Sequence, residues 1–354
     1  LNNYIHHSRP TITDSDIHEI RRILLSGNLS TGKEVKSFES NFENFLGVEN
    51  ACAVNSGTSA LHLSLHALNL SKSDEVIIPS FVCTALLNAV NYVDAKPVIV
   101  DITPNEFNIS VEKVNEFINN KTKAIIIPHM FGVPADVDML TDLGILIIED
   151  CAQSIGARLN KKMVGSFGDL SIFSFYTTKM FTTAGHGGMI ASNSKKLIAE
   201  IRDLRNYDCG PAEYKTRFNY EMTDIEAAMG SNQLSMLPQF IQKRKEIASI
   251  YNEAFAELDN LHLFFPPEKK EPVYYRYLIN FNNNINIYKY VNKLNHKGIE
   301  CKIIIHKLHE SLYLNREDFV NTERANVNIS LPIYPSLKSE EVDYIVKSVK
   351  EVIK

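Results

Sequence analysis

Apolar and polar positions change period several times along the chain, and each change predicts an element. Between residues 75 and 150, short unbroken apolar runs alternate with amphipathic stretches. Glu75–Pro79, Pro97–Asp101, Lys123–Pro128 and Ile145–Asp150 read as strands; Thr84–Val93, Val111–Asn119 and Asp136–Leu143 read as the helices between them. Strands that are apolar on both faces and separated by helices predict a mostly parallel sheet covered on both sides. Ligands of such sheets sit at the carboxyl ends of the strands, where Asn55, His129 and Asp150 fall.

The flanks follow the same logic. An irregular arm runs through Pro10, then a helix with Thr13 as N-cap and Asp14, Asp16 and Glu19 in its early turns. A polar loop, residues 26–33, precedes a helix whose stripe is Val35, Phe38, Phe42, Phe45 and Leu46. Ala51–Val54 is a short buried strand that enters Asn55-Ser56-Gly57-Thr58-Ser59 and a helix with Leu61, Leu65 and Leu68. The sheet is expected to continue to about residue 192, followed by helices over Ser194–Asn206 and Thr223–Asp259. After Pro266-Pro267, strands at Tyr274–Asn280 and Cys301–Ile305 mix with helices at Tyr288–Lys297 and Glu340–Ile353, which predicts a smaller α+β domain. The expected division is an N-terminal arm and helix over 1–25, a large domain over 26–240 and a small domain over 241–354.

Composition adds mostly exclusions. With 37 basic and 42 acidic residues the formal charge is −5, which offers no electrostatic case for nucleic acid. The Lys-Lys pairs at 161–162, 195–196 and 269–270 read as solvated faces. Five cysteines at 52, 83, 151, 209 and 301 form no CxxC pair, which argues against a metal or iron–sulfur site. Cys52 and Cys151 read as reduced core residues, and a cytoplasmic protein is expected. No signal-peptide pattern and no membrane-spanning run is present.

Three features carry chemistry. Strand, small hydroxyl and glycine residues, then helix at 54–61 is the layout of an anion cup, although an ordinary N-capped helix has the same layout. Asp150 closes a core strand, and Lys179 lies 29 residues further on, between the apolar run Leu170–Phe175 and the Gly-rich Gly185-His186-Gly187-Gly188. A lysine in a turn is usually a surface residue, and its amine is a nucleophile only when its pKa is lowered. A phosphate cup, a strand-end carboxylate and a lysine are together what a pyridoxal phosphate enzyme requires.

The motifs Asn55-Ser56-Gly57-Thr58-Ser59-Ala60-Leu61-His62-Leu63, Glu149-Asp150-Cys151-Ala152-Gln153-Ser154, Ser174-Phe175-Tyr176-Thr177-Thr178-Lys179 and Phe218-Asn219-Tyr220-Glu221-Met222-Thr223-Asp224 resemble those of the DegT/DnrJ/StrS sugar aminotransferases. Residues 26–32 and 330–335 match as well, so the resemblance covers nearly the whole chain. It implies a fold-type-I pyridoxal phosphate transferase, α/β, with a mostly parallel seven-stranded sheet and a small α+β C-terminal domain. It further implies Lys179 as Schiff-base lysine and proton shuttle, Asp150 on the pyridine nitrogen, Gln153 on the ring's phenolic oxygen, and Gly57, Thr58 and Ser174 on the phosphate. Asn219 is implied to reach the partner's phosphate, making a homodimer with shared active sites the functional unit. Thr31, His306 and His309 match regions facing the substrate. The expected reaction carries an amino group from glutamate, through pyridoxamine phosphate, to a keto-deoxysugar on a nucleotide carrier.

Departures from the family pattern fall at the expected substrate mouth. Cys83 stands where relatives stack an aromatic ring on the cofactor; Asn28 replaces a Trp, Glu221 an Arg, and His186 an acid. His306 and His309 also fit a surface turn. Other readings remain open: a non-nucleotide keto-sugar acid as acceptor, a sugar dehydratase, or a non-catalytic regulator on the same fold.

Overall fold

The computed structural model describes residues 4–208, 214–281, 286–325 and 327–353. In chain order the elements begin with α1 (Asp14–Ser26), α2 (Lys33–Leu46), β1 (Asn50–Val54), α3 (Gly57–Ala67), β2 (Glu75–Pro79), α4 (Ala85–Tyr92), β3 (Lys96–Val100), α5 (Val111–Phe117), β4 (Thr122–Pro128) and β5 (Leu146–Asp150). The short strands β6 (Arg158–Leu159) and β7 (Lys162–Met163) precede β8 (Leu170–Ser174), β9 (Gly188–Ser192), α6 (Lys195–Arg205) and α7 (Asp224–Phe255). The C-terminal third holds β10 (Leu261–Leu263), β11 (Lys270–Glu271), β12 (Tyr277–Phe281), α8 (Ile287–His296), α9 (Leu308–Ser311), α10 (Val320–Ala325), β13 (Asn328–Leu331) and α11 (Ser339–Ile353).

Seven strands form the main sheet in the order β1-β9-β8-β5-β4-β2-β3. Pairs β2–β3, β2–β4, β4–β5 and β5–β8 are parallel, whereas β9 runs antiparallel between β1 and β8. Both sheet faces are buried by helices, which is why strands such as β2 and β9 are buried at every position. A second core gathers Ile247, Tyr251 and Phe255 of α7 with β12, β13 and α11, and Ile5 of the N-terminal arm packs into it. The 32-residue α7 is therefore one continuous rod that serves both cores and runs through position 241.

Local rules placed the helix starts. Thr13 caps α1 in a full capping box with Asp16, and Thr223 does the same for α7 with Glu226. Three expected elements differ. Residues 136–143 form two separate 3₁₀ turns, Val137–Met139 and Thr141–Leu143, instead of a helix. The acids that would have faced solvent are tied down there, Asp136 to Lys269 and Lys270 and Asp138 to Asn160. The strand expected at 301–305 shrinks to one bridge, Lys302 with Ser330. Beyond it the Asn328 side chain takes over, donating to Ile304 O at 3.0 Å and accepting from Ile304 N at 3.4 Å, which ends the ladder. The strand expected at 274–280 begins only at Tyr277, because residues 273–276 turn toward the large sheet.

The Lys269-Lys270 pair is not a solvated face. Lys270 is buried, its ammonium 2.8 Å from Glu106 and 2.9 Å from Asp136. Cys52 and Cys151 are core residues as expected; Cys209 lies outside the described residues.

Candidate active site

Three structural features converge at the carboxyl ends of β1, β5 and β8. The first is the start of α3. Ser56 caps the helix, its hydroxyl accepting from Ser59 N at 3.0 Å, and Ser59 in turn donates to Asn55 Oδ1 at 2.6 Å. Gly57 is packed against the end of β8 so closely that a Cβ would sit 2.8 Å from Ser174 Cβ and 3.2 Å from its Oγ. Gly188 is similarly close to the Ser56 carbonyl. These two contacts bring the Ser174 hydroxyl to the first turn of α3. There the helix dipole and unpaired backbone N–H groups favour an anion, with Thr58 exposed to receive it.

The second feature is the Glu149-Asp150 pair ending β5. Alternation along a strand sends the two carboxylates to opposite faces. Glu149 is fully buried on one side and is satisfied there: it accepts from Gly165, Phe167 and Gly168 N–H groups and from His129 Nε2 at 3.0 Å. Burial pushes its carboxyl up, but the His129 bond and the backbone donors hold it below the usual range. Ala135 N donates to His129 Nδ1, so the ring proton sits on Nε2 and points at Glu149. Asp150 on the other face has a single backbone donor, Ala152 N at 2.9 Å, and no ion pair among the described residues. Burial raises its carboxyl pKa, against the opposing pull of the Ala152 N–H and the Lys179 charge. A buried carboxylate left without a cation is matched to a cationic group.

The third feature is Lys179, in the turn after β8. Its backbone N donates to Tyr176 O, and Thr177 N donates to Gly185 O, so the Gly-rich segment closes the turn. The Lys179 amine lies over the Tyr275 ring at 5.3 Å and has no ion-pair partner among the described residues. Desolvation of the thiol and the Asp150 charge raise the Cys83 pKa, and the Lys179 charge lowers it, so all three share one site.

Gln153 stands one turn past Asp150. Its Oε1 accepts from Phe131 N at 3.0 Å, which leaves the amide N–H₂ as the donor end, with only a 4.0 Å contact to Met130 Sδ. Asn219 is exposed on a segment strapped over the cup: Asn55 donates to the Tyr220 carbonyl and, through Nδ2, to the Asn219 carbonyl.

The expected substrate residues separate into two groups. His186 and Asn28 are exposed, His186 against Tyr176 at 5.2 Å, and His306 is half-buried beside Phe81 at 5.3 Å. Thr31 instead braces the loop onto α7: it donates to Met222 O at 2.6 Å, and Asp224 accepts from the neighbouring Gly32 N. His309 is fully buried, with Nδ1 2.6 Å from Ser80 Oγ, Nε2 3.0 Å from Glu323, and Phe319 stacked on its ring. No ring nitrogen of His309 remains for a substrate; the residue fastens the small-domain segment to the loop after β2. Tyr275 and Arg276 carry no motif in a Tyr-Tyr-Arg-Tyr run at the head of an expected strand, and Arg244 is one basic residue among several on a long helix.

A lysine, a buried strand-end carboxylate and a helix-start cradle, at the carboxyl ends of a helix-covered, mostly parallel sheet, define an aminotransferase-type α/β enzyme. Comparison with known proteins agrees and narrows the class: the model of the DegT/DnrJ/EryC1/StrS aminotransferase family matches residues 10–350, and the chain belongs to that family. GDP-perosamine synthase of Escherichia coli O157:H7 is 33% identical, with 98% of each chain covered. The structure of the aminotransferase TlmJ from Streptoalloteichus hindustanus superposes with a TM-score of 0.93 at 27% identity, over 99% of this chain and 98% of that one. Spr1654 from Streptococcus pneumoniae, solved in a PLP-form, gives a TM-score of 0.92 at 27% identity over 99% and 98% of the two chains. Pyridoxal phosphate is the cofactor of this family.

Proposed function

We propose that this protein is a pyridoxal phosphate-dependent sugar aminotransferase that moves an amino group from glutamate to a keto-deoxysugar carried on a nucleotide. The observation that carries the reading is Asp150: a buried carboxylate with no ion pair among the described residues, at the end of β5 and within the field of the Lys179 charge. The residues present fit the cofactor. The start of α3, with Gly57, Thr58 and the Ser174 hydroxyl, would hold its phosphate. Asp150 would keep its ring nitrogen protonated, and the donor end of Gln153 would meet its ring oxygen. Cys83 would pack on the ring face, and the exposed Asn219 would reach the phosphate bound by a partner subunit in a homodimer.

Bound there, pyridoxal phosphate supplies the electron sink that lets an amine-bearing carbon give up its proton. Lys179 would be its covalent anchor and, once released, the base that removes that proton and the acid that returns it one position away. Its single mobile amine explains how one residue serves both donor and acceptor halves. The GDP-perosamine synthase relatives support a nucleotide-linked sugar as acceptor, and the exposed Asn28 and His186 would meet it.

The test is spectroscopic first. Purified protein with added cofactor should show the visible band of a lysine-linked cofactor, absent in Lys179→Ala, and should exchange label between glutamate and 2-oxoglutarate. A panel of nucleotide-linked keto-deoxysugars then identifies the acceptor. Protein that binds no cofactor, or a Lys179→Ala variant with full turnover, refutes the proposal.

A further inference from the structure

Asn108 is a polar side chain in an apolar place. It lies between β3 and α5, is 2% exposed, and follows Phe107, whose ring packs on those of Phe81 and Phe131. A buried amide is costly unless its oxygen and its N–H₂ group are both partnered. Both are: Oδ1 accepts from Met130 N at 2.8 Å, and Nδ2 donates to Val133 O at 3.2 Å and Pro134 O at 3.1 Å. One side chain therefore bridges the loop after β4, holding it on both sides of Phe131 and Gly132.

The backbone inside that bracket is strained. Phe131 has φ 58° and ψ 16°, a left-handed conformation that a bulky non-glycine residue rarely adopts. Gly132 follows at φ 87°, where a Cβ would come within 2.8 Å of Val273 and 2.9 Å of Tyr275 N. The segment before β12 closes the outer side, with Val273 N donating to Gly132 O at 3.0 Å. Such a conformation persists only where the surroundings over-determine it, and strain of this kind collects at functional positions.

The loop delivers one N–H to the site. Phe131 N donates to Gln153 Oε1 at 3.0 Å. A glutamine can present either end by turning its amide through 180°, but a backbone N–H against Oε1 permits one orientation, with the N–H₂ group directed away. The other end of the loop reaches β5: His129 N donates to Asp150 O at 3.1 Å, and His129 Nε2 to Glu149 at 3.0 Å. The loop thus holds both residues that the proposed function sets against the cofactor ring. Asn108 holds the loop, and its side-chain hydrogen bonds go to Met130, Val133 and Pro134.

We propose that Asn108 is a positioning residue for Gln153: by bracketing the strained Phe131 it fixes the amide so that the N–H₂ end, and not the carbonyl, meets the cofactor's ring oxygen. The ring oxygen as the group met rests on the proposed function; the bracket and the orientation of Gln153 do not. A donor on that oxygen draws off its negative charge, so the lysine-linked cofactor holds its proton less firmly and its visible band changes at lower pH. A carbonyl in the same place would do the reverse.

Titrating the visible band against pH in a double-mutant cycle tests the assignment. Gln153→Ala should raise the midpoint by about 1–2 pH units, the worth of one hydrogen bond to a charged group. Asn108→Ala should raise it in the same direction and add nothing in the Gln153→Ala background, because it acts through that amide. Asn108→Ser is the milder variant and decides the same cycle if the Ala variant does not fold. A purely structural role would lower stability and leave the midpoint alone. An unmoved midpoint in the Asn108 variants or in Gln153→Ala, or an equal Asn108 shift without the Gln153 amide, overturns the positioning role. The bracket is also read without cofactor, by amide hydrogen exchange. In wild-type protein the Met130 and Phe131 N–H groups should exchange as slowly as those of β4, and in Asn108→Ser about 10-fold faster or more. Exchange in wild type as fast as that of an exposed loop overturns the bracket. Failure to bind pyridoxal phosphate would instead overturn the proposed function, and the exchange measurement still decides the bracket.

Discussion

The contact between Gly57 and Ser174 makes a quantitative test of the phosphate cradle. In Gly57→Ala the new methyl would meet Ser174 Cβ at 2.8 Å, Ser174 Oγ at 3.2 Å and Ser174 Cα at 3.4 Å. The backbone at Gly57 is helical, so no left-handed strain enters and the effect is steric alone. Ser174 ends a core strand paired to β9 and cannot retreat as a flexible side chain would. Overpacking of this kind costs about 1–3 kcal/mol. In a chain of this length that is a melting shift of no more than about 2–4 °C per kcal/mol, so denaturant unfolding of the cofactor-free protein is the better assay. The displaced hydroxyl and helix start should also weaken binding of pyridoxal phosphate or inorganic phosphate by about 10- to 100-fold, the worth of one charge-assisted hydrogen bond. The double variant Gly57→Ala/Ser174→Gly removes the clash but not the defect in the cradle. It should recover stability while binding phosphate no better than Gly57→Ala. Wild-type stability and wild-type cofactor affinity in Gly57→Ala would refute the reasoning, since the close approach would then have no consequence.

Other variants separate catalytic from structural roles. Asp150→Asn should lower glutamate exchange about 10²–10³-fold and alter the cofactor spectrum. Because burial raises the Asp150 pKa, its ionised form destabilises the empty fold at neutral pH, so the cofactor-free Asn variant should unfold at equal or higher denaturant than wild type. Lys270→Met leaves Glu106 and Asp136 facing each other and should cost about 3–5 kcal/mol at neutral pH. Burial pushes the Asp136 carboxyl up, but Lys269 and Lys270 outweigh it and hold it below its ordinary value of about 3.9. Its contribution is therefore present above that pH and is lost as pH falls through the depressed pKa, so unfolding curves of Lys270→Met and wild type should converge below about pH 4. His309→Leu should destabilise by about 1–3 kcal/mol by stripping the ring partner from the buried Ser80 hydroxyl and leaving Glu323 with Lys307 alone, with the KM for the sugar unchanged; a raised KM at unchanged stability would place His309 at the substrate after all.

Spacing along the chain was enough to specify the alternation of strands and helices, the cap at Thr13, the start of a helix at Thr223, and the order of cup, strand-end acid and lysine. Those are local or periodic properties: a 2- or 3.6-residue repeat, a side chain bonding its own backbone three residues on, a motif of consecutive residues. Motif similarity added the family. What only the tertiary structure decided are relations between residues distant in sequence. The antiparallel insertion of β9 between β1 and β8 seats Ser174 against Gly57, residues 117 positions apart. Asn328 stops a strand that hydropathy predicted, because its amide pairs with Ile304 from another segment. Lys270 is buried because Glu106 and Asp136 converge on it, and His309 leaves the substrate side because Ser80 and Glu323 take both its nitrogens. Polar side chains record their partners only in three dimensions, since burial penalises them unless a distant group satisfies them. For the same reason the meeting of Lys179 and Arg276 on the Tyr275 ring was invisible in a strand-like Tyr-Tyr-Arg-Tyr run.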